Sequence, residues 1–340
     1  MSKVVIFAPN IFIGGGLNQL IEISNDLKKI SKNLSLILDS RINIQYKERI
    51  LKEFPDVKFI SSNYLIILLY DFYINIFLKP TKLICLSNYP SLFCFKKIQF
   101  LFIQNRYYLR EEIDLTFFKK IKIFYIRNLI FLKKNTLNKI IVQTNLMKKI
   151  TNKYLFKNNV RIDTYLSFKY LYNYSNKKHD IKWDFMYPAD DAVHKNHDLI
   201  IKSLINLSKE SIRPKVIFTI KKNSNLSKQI DSANKNFGTN ITNLGVISEN
   251  ETINNLKSSR YLLYPSLFES LGLPLLEANY FKIPIISSSE SFVFEVCEPN
   301  ITFDPKNLKN IEEIIKKSYL QKNVIAKSKV LKTDNFLNII

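Results

Sequence analysis

The chain has 340 residues, is 46% hydrophobic and carries a formal net charge of +22, which leaves room for two domains with real cores and excludes a disordered chain. Cys85, Cys94 and Cys297 are scattered without metal spacing, and only His194 and His197 of the three histidines lie close together, so neither a disulfide framework nor a zinc site is expected. The charge is lopsided: residues 1–178 hold 30 Lys and Arg against 11 Asp and Glu (+19), and the remainder 21 against 18 (+3), so the first half points to an anionic partner.

The chain opens on Lys3–Ala8, an apolar run of strand length with no secretion signal ahead of it. Further strands are expected at Leu34–Leu38, Val57–Ile60, Leu83–Leu86, Phe100–Ile103 and Ile140–Gln143, with a helix over Leu17–Ile30. Between the first strand and that helix stand Gly14, Gly15 and Gly16, half of all six glycines. Backbone without side chains at a helix start can approach a phosphate, although a tight strand–helix turn explains the same residues. It is neither a Walker loop, since no Gly-Lys-Ser/Thr follows, nor a dinucleotide fingerprint, since Gln19 stands where the third Gly belongs. The apolar stretch Tyr64–Leu78 is broken by Asp71 and Asn75 and falls short of the ~20 residues that span a bilayer. Gln104-Asn105-Arg106 follows a strand, and its amides and guanidinium suit hydroxyl-rich ligands as well as a plain solvated loop. Phe117–Lys134 alternates aromatic and aliphatic residues with Lys and Arg, the pattern of a basic helix lying on a membrane surface or of an ordinary surface helix.

The polar segment Tyr172–Asp180 reads as a linker. The second half then repeats the alternation, with strands at Trp183–Tyr187, Val216–Ile220, Ile241–Leu244, Tyr261–Tyr264 and Ile283–Ile286 and helices at His197–Leu207, Asn250–Ser258 and Pro274–Phe281. Such alternation gives a parallel sheet covered by helices, twice over. The expected fold class is α/β, with two doubly wound Rossmann-like domains facing across a cleft: 1–172, 173–330, and a tail 331–340 packing back on the first domain.

The densest signal is Tyr264-Pro265-Ser266-Leu267-Phe268-Glu269-Ser270-Leu271-Gly272-Leu273-Pro274-Leu275-Leu276-Glu277-Ala278. Pro274 suits a first helical turn, Gly272 lets backbone approach a ligand, and amides at a helix start favour an anion. Glu277 is expected in the first turn and Glu269 in the loop before it. Each Glu alone also fits a helix-start residue or a solvated loop residue. Together they frame an anion-binding bend with two hydroxyl-binding carboxylates, which suits a sugar nucleotide.

This string resembles the retaining glycosyltransferases of family 4, which have the GT-B fold. Ile283-Pro284-Ile285-Ile286-Ser287, Glu295-Val296-Cys297 and Phe303-Asp304-Pro305 extend the resemblance over about residues 183–306. It implies a nucleotide-sugar donor bound by Glu277, Ser270, Leu271, Gly272, Leu273, Gly245 and Val246, the last two near the nucleobase. It implies catalytic roles for Glu269, on the donor sugar, and for Lys195, on the diphosphate. Gly15 and Gly16 are implied near donor phosphate and acceptor, and Gln104, Asn105 and Arg106 on the acceptor side. No metal and no cofactor are expected, and no Asp-x-Asp occurs. The acceptor implied is a glycan or a polyprenyl-diphosphate-linked glycan, used in bacterial surface polysaccharide such as O-antigen. The expected place is the cytoplasm, peripheral on an anionic inner membrane surface, without nucleic acid.

The chain departs from the family pattern in four places. Pro188, Ala189 and Asp190 stand where a second phosphate ligand, an Arg, is usual; Gln104 replaces a frequent His; Lys282 replaces a small residue; and a Gly pair is missing near Ser288–Ser291. A sugar-nucleotide epimerase on the same fold and a non-enzymatic basic membrane- or nucleic-acid-binding protein stay open as alternatives.

Overall fold

The computed structural model of the chain describes residues 3–109, 117–154, 160–177, 179–321 and 324–340. They form two compact units, Met1–Tyr172 together with Lys332–Ile340, and Asn173–Leu331. The first holds strands β1 (Val4–Ala8), β2 (Leu34–Asp39), β3 (Val57–Ile60), β4 (Lys82–Cys85), β5 (Gln99–Ile103), β6 (Leu137–Val142) and β7 (Arg161–Thr164) in the order β3-β2-β1-β4-β5-β6-β7. All neighbours pair in parallel, with Phe7 between Ile37 and Cys85.

Strand side chains alternate between faces, so β1 feeds two cores. Val4, Ile6 and Ala8 meet Leu20 and Leu27 of helix Gly14–Lys28. Val5 and Phe7 meet Ile67, Ile74, Ile126 and Ile130 of the elements Tyr64–Tyr73, Ile74–Leu78 and Phe117–Leu132. Burial on both faces is why these strands read as continuous apolar runs.

The C-terminal segment completes this unit. Phe336 packs edge-on against Tyr165, with ring centroids 5.2 Å apart, and its N–H donates to the buried Asp26 carboxylate at 3.1 Å. Leu166 and Asp334 exchange hydrogen bonds of 2.8 and 2.7 Å.

The second unit holds β8 (Trp183–Tyr187), β9 (Val216–Phe218), β10 (Ile241–Asn243), β11 (Ser259–Tyr264), β12 (Ile285–Ser288) and β13 (Ile301–Phe303), parallel throughout, in the order β10-β9-β8-β11-β12-β13. Its helices start where local chemistry tells them to. Ser248 and Glu251 form a reciprocal capping box ahead of Glu249–Lys257, and Ser224 and Asn307 cap Asn225–Phe237 and Leu308–Leu320.

Two strands escaped the sequence reading. β7 has a single buried apolar residue, Ile162, and sits at a sheet edge, while β13 is three residues long. The first helix begins at Gly14, three residues earlier than expected. Glycine is unfavourable in a helix by about 1 kcal/mol, yet all three glycines belong to this first turn. Among the described residues no helix is long and apolar enough to cross a membrane.

Candidate active site

The second sheet changes its direction of growth between β8 and β11. Loops leaving the carboxyl ends of two such strands diverge, and ligands of open α/β sheets bind in the crevice that results. The loop after β8 carries Lys195 and the loop after β11 carries Glu269. Their side chains meet at this point, with Nζ 2.6 Å from Oε1 and only 15% and 12% of each exposed. The Tyr264 hydroxyl donates to the same Oε1 at 3.0 Å and the Ser266 hydroxyl at 2.7 Å. Three donors on one oxygen fix the carboxylate's orientation.

The loops are laced together beneath the pair. The Leu267 N–H donates to the His194 carbonyl at 2.8 Å, the Tyr187 hydroxyl to the Lys195 carbonyl at 2.8 Å, and the Ser288 hydroxyl to the Ser266 carbonyl at 2.7 Å. Asn196, in the left-handed region at φ 58°, donates from Nδ2 to the Pro305 carbonyl at 2.9 Å. Burial, reinforced by the Glu269 charge, pushes the Tyr187 and Tyr264 hydroxyls well above the ordinary phenol range, so both remain donors. His197 lies against Tyr187, with ring centroids 4.6 Å apart. Burial, then the nearby Lys195 charge, lowers its pKa to about 4, which leaves the ring neutral, and its Nε2 has no hydrogen-bond partner.

Gly272 turns the loop into helix Leu273–Tyr280 at φ 74°, where an added Cβ would stand 3.0 Å from Leu275 Cδ1. Pro274 lies in the first turn, and the leading N–H groups of any helix lack intrahelical partners. Ser270, Leu271, Gly272 and Leu273 thus form the bend between β11 and that helix. Glu277 requires a correction. It is the fifth helical residue, outside the first turn, and is 7% exposed, so dipole stabilisation at a solvated helix start does not account for it. Its negative charge adds, after burial and Glu269, to the upward shift of the Tyr264 hydroxyl. Gly245, at φ 79°, donates its N–H to Asn243 Oδ1 at 3.1 Å after β10, and the next residue, Val246, is exposed. The Lys222 stem lies over Gly245, with Cε 3.0 Å from where a Cβ would be.

The first unit has its own change of direction, between β1 and β4. Gly14, Gly15 and Gly16 are the first helical turn after β1, a correction to the loop expected there. A Cβ on Gly16 would stand 3.1 Å from Gln104 Oε1, so this glycine admits the glutamine. Gln104 and Gln143 both donate from Nε2 to Gln19 Oε1, at 3.1 and 3.0 Å, and Gln19 Nε2 is buried without a hydrogen-bond partner. The backbone N–H groups of Gln104 and Asn105 donate to Asn88 Oδ1 at 2.6 and 2.9 Å, and Asn88 is left-handed at φ 66°. Arg106 is 8% exposed, which corrects the solvated-loop alternative for it. Among the described residues no group of three or more His, Cys, Asp or Glu is placed to hold a metal ion.

Residues 173–330 match the family model for glycosyl transferases group 1. That span coincides with the second unit, the one that carries the Lys195–Glu269 pair. Solved structures agree over both units. Sucrose-phosphate synthase from Thermosynechococcus elongatus is similar at 9% identity and TM-score 0.65, over 93% of this chain and 89% of that one. HepE of Anabaena in complex with UDP-glucose is similar at 11% and 0.64, over 92% and 89%. The lipopolysaccharide outer core galactosyltransferase WaaB, in its apo form, is similar at 14% and 0.61, over 93% and 90%. At these identities the likeness establishes the fold, which is GT-B. No curated protein sequence matches the chain.

The second unit contains site-forming groups that carry no motif of their own in the sequence. Tyr264 and Ser266 sit inside the quoted motif, yet read as the end of a buried strand and a turn. Their hydroxyls become visible only once Glu269 is folded back onto them. Tyr187 reads as the end of a strand and His197 as the start of a helix, and nothing in the sequence marks Gln19, Asn88 or Gln143 as site residues.

Proposed function

We propose that the chain is a glycosyltransferase that moves a sugar from a nucleoside-diphosphate sugar to a glycan or lipid-linked acceptor, with retention at the anomeric carbon and without a metal ion. The observation that carries this reading is the Lys195–Glu269 pair at the point where the group 1 sheet changes direction. A departing nucleoside diphosphate gains negative charge as the glycosidic bond breaks. Lys195, with amides at the start of helix Leu273–Tyr280, offers positive potential for it, and such preorganised charge is usually the largest catalytic contribution. Glu269 orients the ammonium and accepts from donor-sugar hydroxyls, while Glu277 accepts from the ribose. Gly245 and Val246 border the base. In the first unit the amides of Gln104 and Asn105, Arg106, and the backbone at Gly15 and Gly16 take the acceptor.

HepE, seen with UDP-glucose, supports a sugar nucleotide as donor. WaaB, a lipopolysaccharide galactosyltransferase, supports surface polysaccharide as the setting, and the basic helix from Phe117 supports work at an anionic inner membrane face. The test is a melting screen against UDP-, GDP-, dTDP- and CMP-sugars. A true donor at a hundred times its Kd stabilises the fold by about 2.7 kcal/mol, and a flat response across the panel would overturn the reading.

A further inference from the structure

The element Tyr64–Tyr73, continued by the π-turn Ile74–Leu78, is apolar on two sides, and the fold covers only one of them. Ile67, Asp71 and Ile74 are buried, a stripe at helical spacing that faces the sheet. On the opposite side Leu65, Leu69, Phe72 and Ile76 form a second stripe at the same spacing, and it is exposed; Leu69 and Phe77 are each 67% accessible. Helix Phe117–Leu132 packs on the same face of the same sheet through Ile126 and Ile130, and leaves Phe124, Tyr125, Phe131 and Leu132 exposed.

The loop Ser91–Lys97 joins the two. Phe93 packs edge-on against Phe72 at 5.4 Å, and Lys133 caps the 78%-exposed Phe95 at 4.1 Å while donating to the Cys94 carbonyl at 3.3 Å. The buried Asp71 holds that loop in place by accepting from the Ser91 hydroxyl and, at 2.7 Å, from the Leu92 N–H. Burial raises the Asp71 pKa, and hydrogen bonds from the loop oppose the shift. A carboxyl in the middle of an apolar stretch therefore anchors the loop beside the exposed stripe.

Lysines rim the surface. Lys58 lies over Tyr73 at 4.6 Å, Lys134 over Phe131 at 4.4 Å, and Lys79, Lys96 and Lys97 are exposed around it. Large apolar side chains bordered by lysines match an interface where acyl chains lie beneath anionic headgroups. A second copy of the chain would set lysine rim against lysine rim, which like charge disfavours.

We propose that this two-helix face, centred on Leu69, Phe72, Phe77 and Phe95, is a docking surface for an anionic lipid bilayer. It deepens the membrane-surface reading above, which it rests on, by moving the main apolar contact from the basic helix to the stretch Tyr64–Leu78. The bilayer is entered at one face and not crossed.

The test is co-sedimentation of the full chain with vesicles of phosphatidylcholine alone and of phosphatidylcholine mixed with phosphatidylglycerol. The wild type should bind the mixed vesicles, less so as salt is raised, and should bind the neutral vesicles weakly. Leu69→Glu with Phe77→Glu should weaken binding to mixed vesicles by about tenfold or more, since both side chains are exposed and lie outside the candidate site. Phe124→Glu with Tyr125→Glu serves as the second variant. Melting temperature and sugar-nucleotide binding report whether each variant is folded and its donor site intact. If the wild type ignores anionic vesicles, both this proposal and the membrane-surface reading fall. If the wild type binds and only the Phe124/Tyr125 variant loses affinity, the membrane reading stands and the Tyr64–Leu78 surface is overturned. Dimerisation of the wild type that Leu69→Glu abolishes would overturn it too, by making the face a contact between copies.

Discussion

The two sheets change direction in the same way, β1 against β4 and β8 against β11, yet the chemistry at the two places differs. The second unit puts an ion pair there, Lys195 with Glu269, braced by Tyr264 and Ser266. The first unit puts neutral amides beside its own, with Gln104 after β5 and Gln143 after β6 both donating to Gln19 on the helix after β1, and Asn88 after β4 gripping the backbone at Gln104. A parallel doubly wound sheet supplies the crevice, and side-chain type decides what it can hold. Charge suits a leaving group that becomes more anionic; uncharged amides suit hydroxyl groups that stay neutral.

The strongest way to break that contrast is to neutralise the charged side. Glu269→Gln keeps the shape and an oxygen acceptor but leaves Lys195 without its counter-charge. Transfer should slow by about 100-fold, the range seen when one preorganised electrostatic partner is removed. Initial rates read from nucleotide release measure it. Rates within a few-fold of wild type would sink the role given to Glu269. Removing either partner also loads the fold, because a largely buried charge without its partner costs about 3–5 kcal/mol, so urea unfolding of the variant is measured beside its rates.

A change of pH acts on the same unit through His197, which is buried, neutral and close to the pair. Its pKa stands at about 4 in the fold against a usual value of 6.5. Between those values the unfolded chain binds the proton and the fold does not, so stability is complete above pH 6.5 and falls as the pH drops toward 4. The loss attributable to this residue is about 3 kcal/mol. His197→Phe should flatten that segment of the urea-derived stability curve. An unchanged slope would mean that the ring meets the proton elsewhere.

Glu22, buried in the first unit, leans the other way. Burial raises its pKa, opposed chiefly by hydrogen bonds from Ser167 and Tyr170. It therefore contributes stability at low pH that is lost as the pH rises through its folded value.

Gly272→Ala tests the bend itself. At φ 74° an alanine costs about 1–2 kcal/mol, and its Cβ must also displace Leu275 Cδ1 from 3.0 Å. Urea unfolding of the full chain measures that cost. If the amides at Ser270–Leu273 hold the diphosphate, affinity for the free nucleoside diphosphate should fall along with it.

Sequence legibility followed the same division. Parallel strands buried on both faces announce themselves as apolar runs, so β1 and β11 were plain from Val4–Ala8 and Tyr261–Tyr264. The edge strand β7, with one buried apolar residue, had no such pattern to show. At the site, Glu269 and Lys195 were legible as types at suggestive positions 74 residues apart, but their pairing is a property of the β8–β11 adjacency and not of spacing. The hydroxyls of Tyr264 and Ser266 point back at Glu269 because the chain reverses after β11, which no periodicity encodes. On the amide side Gln104 was singled out and Gln19 was not. A glutamine on a helix has no distinguishing mark until two others donate to it.

The smallest expected effect belongs to that neutral side. Gln104→Met keeps length and volume but removes the amide, so Gln19 Oε1 retains only the Gln143 donor at 3.0 Å. Loss of one neutral hydrogen bond costs about 1 kcal/mol. The kinetic consequence separates two meanings of the amides. If they only brace the first helical turn against β5, the variant melts slightly earlier while KM for acceptor and kcat both hold. If they take acceptor hydroxyls, KM for acceptor rises a few-fold while hydrolysis of donor in the absence of acceptor is unchanged, since the donor is assigned to the other unit. An equal fall in donor hydrolysis and in transfer would show that Gln104 reports on the charged site, and the contrast between the two crevices would fail.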